Sequence, residues 1–99
     1  VEDGHADAVS EFYEAVDAPL YYGLRSPQRL FIEAMAADEG EPTRMADIIE
    51  RCDRTQSWAS KYRASLIRER VIEAAGYGLV RFTVPMLGEY IRDRILWHE

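Results

Sequence analysis

Six cations fall within twenty residues: Arg51, Arg54, Lys61, Arg63, Arg68 and Arg70 lie in RCDRTQSWASKYRASLIRER, opposed only by Asp53 and Glu69. Guanidinium and ammonium groups at that density suit a polyanion, because each one that meets a phosphate releases a condensed counterion. The flanking sequence has the opposite sign. Residues 1–50 hold three Arg against twelve Asp and Glu, and residues 71–99 hold three Arg against four acids. The net charge of −6 therefore conceals one basic island, and argues against a surface made for nucleic acid on every side.

Inside the island, Ser57 to Glu69 has a helical pattern in which Ala59, Tyr62, Leu66 and Ile67 turn inward. Ser57, Ser60, Lys61, Ala64 and Arg68 then turn outward. Lys61 and Arg68 can reach phosphates or guanine edges, while the short side chains of Ser57 and Ser60 leave room for close approach. Arg54, Arg51 and, further along, Arg81 would add backbone contacts. Four to six such contacts would give a log–log salt slope of about −4 to −5. The acidic remainder is largely screened beyond a Debye length of about 8 Å. The alternative is a solvated helix face, with some of its cations paired to Asp53 and Glu69.

Other chemistry is poorly supported. His5 and His98 lie near opposite ends of the chain, so an acid–base pair would need both ends ordered together. Cys52, the single cysteine, stands in an apolar register and reads as a small buried hydrophobe rather than a nucleophile or metal ligand. Asp38, Glu39 and Glu41 lack the spacing of a calcium loop. Gly76-Tyr77-Gly78 is followed by no helix and no Gly-Lys-Ser/Thr, so it reads as a turn rather than a phosphate loop. Neither a catalytic residue nor a metal site is assigned. Trp58, Tyr21, Tyr22, Tyr90 and Trp97 read as core or interface anchors, with Trp58 also placed to pack on a sugar or a partner.

The elements that must position these residues follow from apolar periodicity. Val9, Phe12, Tyr13 and Val16 mark a helix over Ala6–Asp17, ended by Ala18-Pro19, with Leu20 to Leu24 as an apolar connector. Ser26-Pro27 opens a second helix with Leu30, Phe31, Ala34 and Met35 on its core face. Asp38 to Pro42 stops it. Thr43 caps a third, short helix through Met45, Ile48, Ile49 and Cys52, and Asp53 to Gln56 connects it to the fourth. Val71-Ile72 and Leu79 to Val84 then flank Glu73 to Gly78 as a β-hairpin whose glycines supply positive backbone angles. Pro85 opens a last helix striped by Leu87, Tyr90, Ile91 and Ile95.

This order predicts a mostly α fold with one β-hairpin: a winged helix-turn-helix over residues 26–99, with an added N-terminal helix and connector over residues 1–25. A length of 99 residues suits one small core, and eleven aromatics with only ten Gly plus Pro suit a folded chain. One cysteine, no secretion signal and no apolar run of membrane length point to the cytoplasm and away from a membrane. Because the chain starts at Val1 rather than Met, we read it as a piece of a longer protein.

The segments SPQRLFIEAMA (26–36), RMADIIERC (44–52), YRASLIRERVI (62–72) and GLVRFTVPMLGEYIRDR (78–94) resemble the C-terminal winged-helix region of bacterial AAA-type ATPases of the archaeal-ATPase and Orc1/Cdc6-like group. The resemblance spans about residues 20–94, and Arg63, Leu66-Ile67, Gly78 and Phe82-Thr83-Val84-Pro85 carry most of it. It implies a module that binds double-stranded DNA or packs against the N-terminal ATPase domain of the same polypeptide. ATP and magnesium would belong to that other domain, since this chain has no P-loop and is not itself an enzyme. Where the resemblance implies a glycine closing the fourth helix, this chain has Arg70; where it implies Tyr and Pro in the wing, it has Glu73 and Ala75.

Two further functions stay open on the sequence. One is a protein-interaction module that docks on its own ATPase domain or self-associates through the N-terminal helix and the Tyr21-Tyr22 connector. The other is a stand-alone dimeric transcription regulator, with its two fourth helices about 34 Å apart.

Overall fold

The structure, a computed structural model, describes residues 13–38, 42–84 and 86–96. His5, His98, Val9, Phe12, Glu39, Glu41, Pro85 and Trp97 lie outside the described residues.

The described chain begins with a π-helical segment, Tyr13–Asp17, that runs directly into α1, Ala18–Tyr22. Pro19 therefore does not end a helix here, and Leu20, Tyr21 and Tyr22 are helical rather than a connector. Proline fits the first turn of an α-helix, where its missing N–H has no intrahelical partner to lose. Gly23, whose N–H donates to the Pro19 carbonyl at 3.0 Å, closes α1.

α2 (Ser26–Ala36) is the central helix and packs against three others. It buries Phe31, Ile32, Met35 and Ala36 completely or nearly so, a wider face than the sequence stripe, with Leu30 at its edge. Its N-cap is Arg25, one residue before the expected Ser26, and Gln28 Oε1 accepts the Arg25 backbone N–H at 3.0 Å. Thr43 does not cap the next helix. Together with Arg44 it forms a short strand, β1 (Thr43–Arg44), and its hydroxyl donates to the Met35 carbonyl at 3.3 Å.

α3 (Met45–Cys52) and α4 (Gln56–Arg68) form the helix-turn-helix. Asp53 turns the chain between them in the left-handed conformation, φ 54°. Asp53 N–H donates to the Glu50 carbonyl and Arg54 N–H to that of Ile49, the paired bonds of a Schellman ending. Aspartate tolerates this geometry better than most side chains. Thr55 then caps α4, its Oγ1 accepting the Trp58 N–H at 3.1 Å.

α4 ends in the same way, with a residue less suited to it. Arg70 takes φ 64°, its N–H donates to the Ile67 carbonyl, and Val71 N–H donates to that of Leu66, each at 3.0 Å. The left-handed residue that glycine would supply is thus an arginine. It is fastened from the hairpin, since the Thr83 hydroxyl donates to the Arg70 carbonyl and Thr83 N–H donates to the Val71 carbonyl at 3.0 Å.

The hairpin joins β2 (Ile72–Gly76) to β3 (Leu79–Phe82) through Tyr77-Gly78, a tighter turn than the Glu73–Gly78 linker of the sequence reading. Gly76 and Gly78 both have positive φ, at 145° and 70°, and a bulge between Ala74 and Gly76 shifts the register. β1 adds to the other edge of β3, which makes a three-stranded antiparallel sheet in the order β1-β3-β2. α5 (Leu87–Ile91) and a second π-helical segment, Arg92–Leu96, close the described chain. Ile48, Leu66, Ile72, Val80, Leu87 and Ile91 meet α2 in one core. The fold is mostly α with a small antiparallel sheet, a helix-turn-helix followed by a hairpin at its flank.

Candidate nucleic-acid interface

α4 divides as its sequence predicts. Ala59 and Leu66 are wholly buried and Tyr62 and Ile67 half-buried, whereas Ser57, Ser60, Lys61, Ala64 and Arg68 are exposed. A rod anchored along one side presents the other to solvent as a row of small and cationic side chains. Among the described residues, neither Lys61 nor Arg68 has a carboxylate within ion-pair distance. Lys61 Nζ instead lies 5.3 Å from the centroid of the Tyr62 ring, a cation–π contact that steadies the ammonium without neutralising it.

Of the two acids of the basic island, Asp53 turns the chain with its backbone, and Glu69 Oε2 accepts Gln28 Nε2 at 3.0 Å. Arg54 is exposed at the turn, donating to the backbone carbonyls of Cys52 and Asp53, with its guanidinium 5.8 Å from the Trp58 ring. Trp58 is itself half-buried, tilted against Phe31 and Tyr62.

Two of the expected phosphate contacts have other partners. Arg51 is exposed at the end of α3, yet its Nη1 donates to the Ala34 carbonyl at 2.9 Å and its Nη2 meets Asp38 Oδ1 at 2.8 Å. It caps the C-terminal end of α2, where unpaired carbonyls and the helix dipole favour a cation. Arg92 shares this work, donating to the carbonyls of Ala36 and Asp38. The Arg51 guanidinium holds the Asp38 carboxyl below its ordinary range, against the opposing effect of burial. In the hairpin, Arg81 and Glu73 face each other in register, with Arg81 Nε 2.5 Å from Glu73 Oε2. That rung of the hairpin is already charge-neutral.

Two residues that the charge count passed over belong to this surface. Arg25 stands with Lys61 and Arg68 around a shared groove, and Gln28, almost fully buried, joins α2 to α4 by donating to Ser65 Oγ at 2.7 Å and to Glu69. The signal for Gln28 was its place at the third position of α2, where a glutamine reaches back to the cap.

Elsewhere, Cys52 is buried with its thiol pushed up by desolvation, and its Sγ lies 3.6 Å from the Leu30 carbonyl. Tyr21 is buried and donates to Glu33. Among the described residues, no three His, Cys, Asp or Glu converge as metal ligands, and no helix is long and apolar enough to cross a membrane.

A helix-turn-helix with an attached hairpin and a cationic helix face, its Lys61 and Arg68 paired to no carboxylate among the described residues, is the class of module these features define. A family model described as a domain of unknown function (DUF8462) matches residues 18–91, from the start of α1 to the end of α5, and the chain belongs to that family. No curated protein and no solved structure matches the chain.

Proposed function

We propose that this chain is a non-catalytic DNA-binding winged-helix module of a cytoplasmic AAA-type ATPase, with α4 entering the major groove of double-stranded DNA. The observation that carries this reading is the face of α4, where Lys61 and Arg68 stand exposed beside Ser57 and Ser60 with no carboxylate paired to them among the described residues. Arg54 adds a third cation at the turn. With Arg51 and Arg81 engaged elsewhere, these three contacts give a salt slope of about −3, shallower than the sequence reading expected. The ATPase parentage rests on the family resemblance of residues 20–94.

Fluorescence anisotropy of a labelled mixed-sequence duplex, titrated with the chain over a range of salt, tests the reading. Lys61→Ala with Arg68→Ala weakens binding and lowers the slope by about 1.8, because two counterion-releasing contacts are gone. Unchanged affinity in the double variant rejects these roles.

One observation favours the protein-interaction reading. Tyr22 is 60% exposed, edge-on to the buried Tyr21, and offers an aromatic anchor on α1. Docking there would use Tyr22 alone, since Tyr21 is committed to the interior. Concentration-dependent mass by light scattering, abolished by Tyr22→Ser, would identify self-association through this ring.

A further inference from the structure

The three cations around the groove between α2 and α4 come from two separate parts of the chain, which the packing brings together. On α4, Lys61, Ser65 and Arg68 are spaced by four and three residues and so form one stripe, with its two cations about 10 Å apart along the axis. Arg25 arrives from the start of α2. Gln28 sets its position: the side-chain oxygen holds the Arg25 backbone N–H at 3.0 Å, while the amide nitrogen of the same side chain is bound to Ser65 in the last turn of α4 and to Glu69 just past it. One buried glutamine thereby fixes the N-terminal end of α2 against the C-terminal end of α4.

The resulting groove has a volume of about 280 Å³. That is several times the roughly 30 Å³ share of one water, so it can take a tetrahedral oxyanion together with part of its hydration. Its charge favours an anion, since Arg25, Lys61 and Arg68 face one acid, Glu69, whose Oε2 already accepts the Gln28 amide. Two guanidinium groups can each supply paired donors to phosphate oxygens, and the ammonium a point charge.

We propose that this groove admits a nucleic-acid backbone, with Arg25 meeting a phosphodiester group that neither Lys61 nor Arg68 neutralises, which makes it a further contact that clamps the strand beside α4. The inference rests on the DNA reading above and deepens it: α4 meets the base edges, and the end of α2 grips the backbone next to them. Such a contact fixes orientation and carries no sequence preference.

The test is the salt dependence of duplex binding for the wild type, Arg25→Gln and Arg94→Gln. The last removes the same charge from the C-terminal segment, where Arg94 stacks on Tyr13 and lines no part of the groove. Arg25→Gln is expected to lower the slope by about 0.9 and to weaken binding equally for unrelated duplex sequences, while Arg94→Gln leaves the slope unchanged. Arg25 is exposed, so its replacement leaves the fold intact, as matching thermal midpoints will verify. If the wild type binds and Arg25→Gln keeps its slope, or if both variants lose slope equally, the clamp is overturned and the DNA reading stands. If the wild type binds no duplex even at low salt, both fall together.

Discussion

Arg51 Nη2 lies 2.8 Å from Asp38 Oδ1, across the packing of α3 on α2, and the same guanidinium holds the Ala34 carbonyl. A residue that counts as one of six clustered cations in the sequence is thus a tie between two helices. Arg51→Ala should lower stability by about 1 kcal/mol, a value kept small by the partial exposure of the pair, and leave duplex affinity close to that of the parent. Urea midpoints and binding isotherms on the same variant check both halves.

The Arg51–Asp38 pair also sets an acid limit. Because the folded Asp38 has a pKa below its unfolded value, its contribution is full above the unfolded value and is lost as pH falls through the folded one. Wild-type stability should therefore decline more steeply below about pH 4 than that of Arg51→Ala. Thermal midpoints of the two proteins between pH 2.5 and pH 6, buffered at constant ionic strength, should converge at the acid end.

Asp17 behaves in the opposite sense. Its side chain is completely buried, both oxygens lack a hydrogen-bond partner among the described residues, and burial, then the charge of Glu89, pushes its carboxyl up to about 6. The unfolded chain gives up this proton first, so stability falls as pH rises from about 4 to about 6 and stays reduced above that. Asp17→Asn should remove this pH dependence and raise stability at pH 7 by something on the order of 2 kcal/mol. A variant no more stable than the parent at pH 7 would contradict the assignment.

In the hairpin, Glu73→Gln frees Arg81 from its cross-strand partner. If the wing lies beside DNA, duplex binding tightens and the salt slope steepens by about 0.9. An unchanged slope would place Arg81 away from the phosphates.

Arg70→Gly tests the ending of α4. A non-glycine residue at φ 64° costs about 1–2 kcal/mol, partly offset by the entropy that glycine loses on folding, so a net gain of about 0.5–1 kcal/mol is expected. A denaturant midpoint that falls instead would mean that the Arg70 side chain contributes more than its backbone strain costs.

The helices were legible where apolar stripes are long. Ala59, Leu66, Leu87 and Ile91 are all core residues at the positions that periodicity gave them, and the outward face of α4 followed from the same pattern. What escaped the pattern was short or depended on distant partners. Two residues, Thr43 and Arg44, are too few to show an alternation, so β1 read as a helix cap. Pro19 looked like a stop because nothing local distinguishes a proline that ends a helix from one that sits in its first turn. The pairing of Glu73 with Arg81 needs the hairpin register, which the Tyr77-Gly78 turn and the adjoining bulge set together. Arg51 and Arg25 could not be told apart by charge: one is spent on the end of α2 and the other is displayed at its beginning.

Trp58 has a consequence of another kind. Its indole sits at the first turn of α4, half-buried, with the Arg54 guanidinium and the Tyr62 ring both close to it. The chain therefore carries its own optical reporter at the edge of the cationic face. With Trp97 replaced by Phe, the emission of this single indole would register an arriving strand without any attached dye.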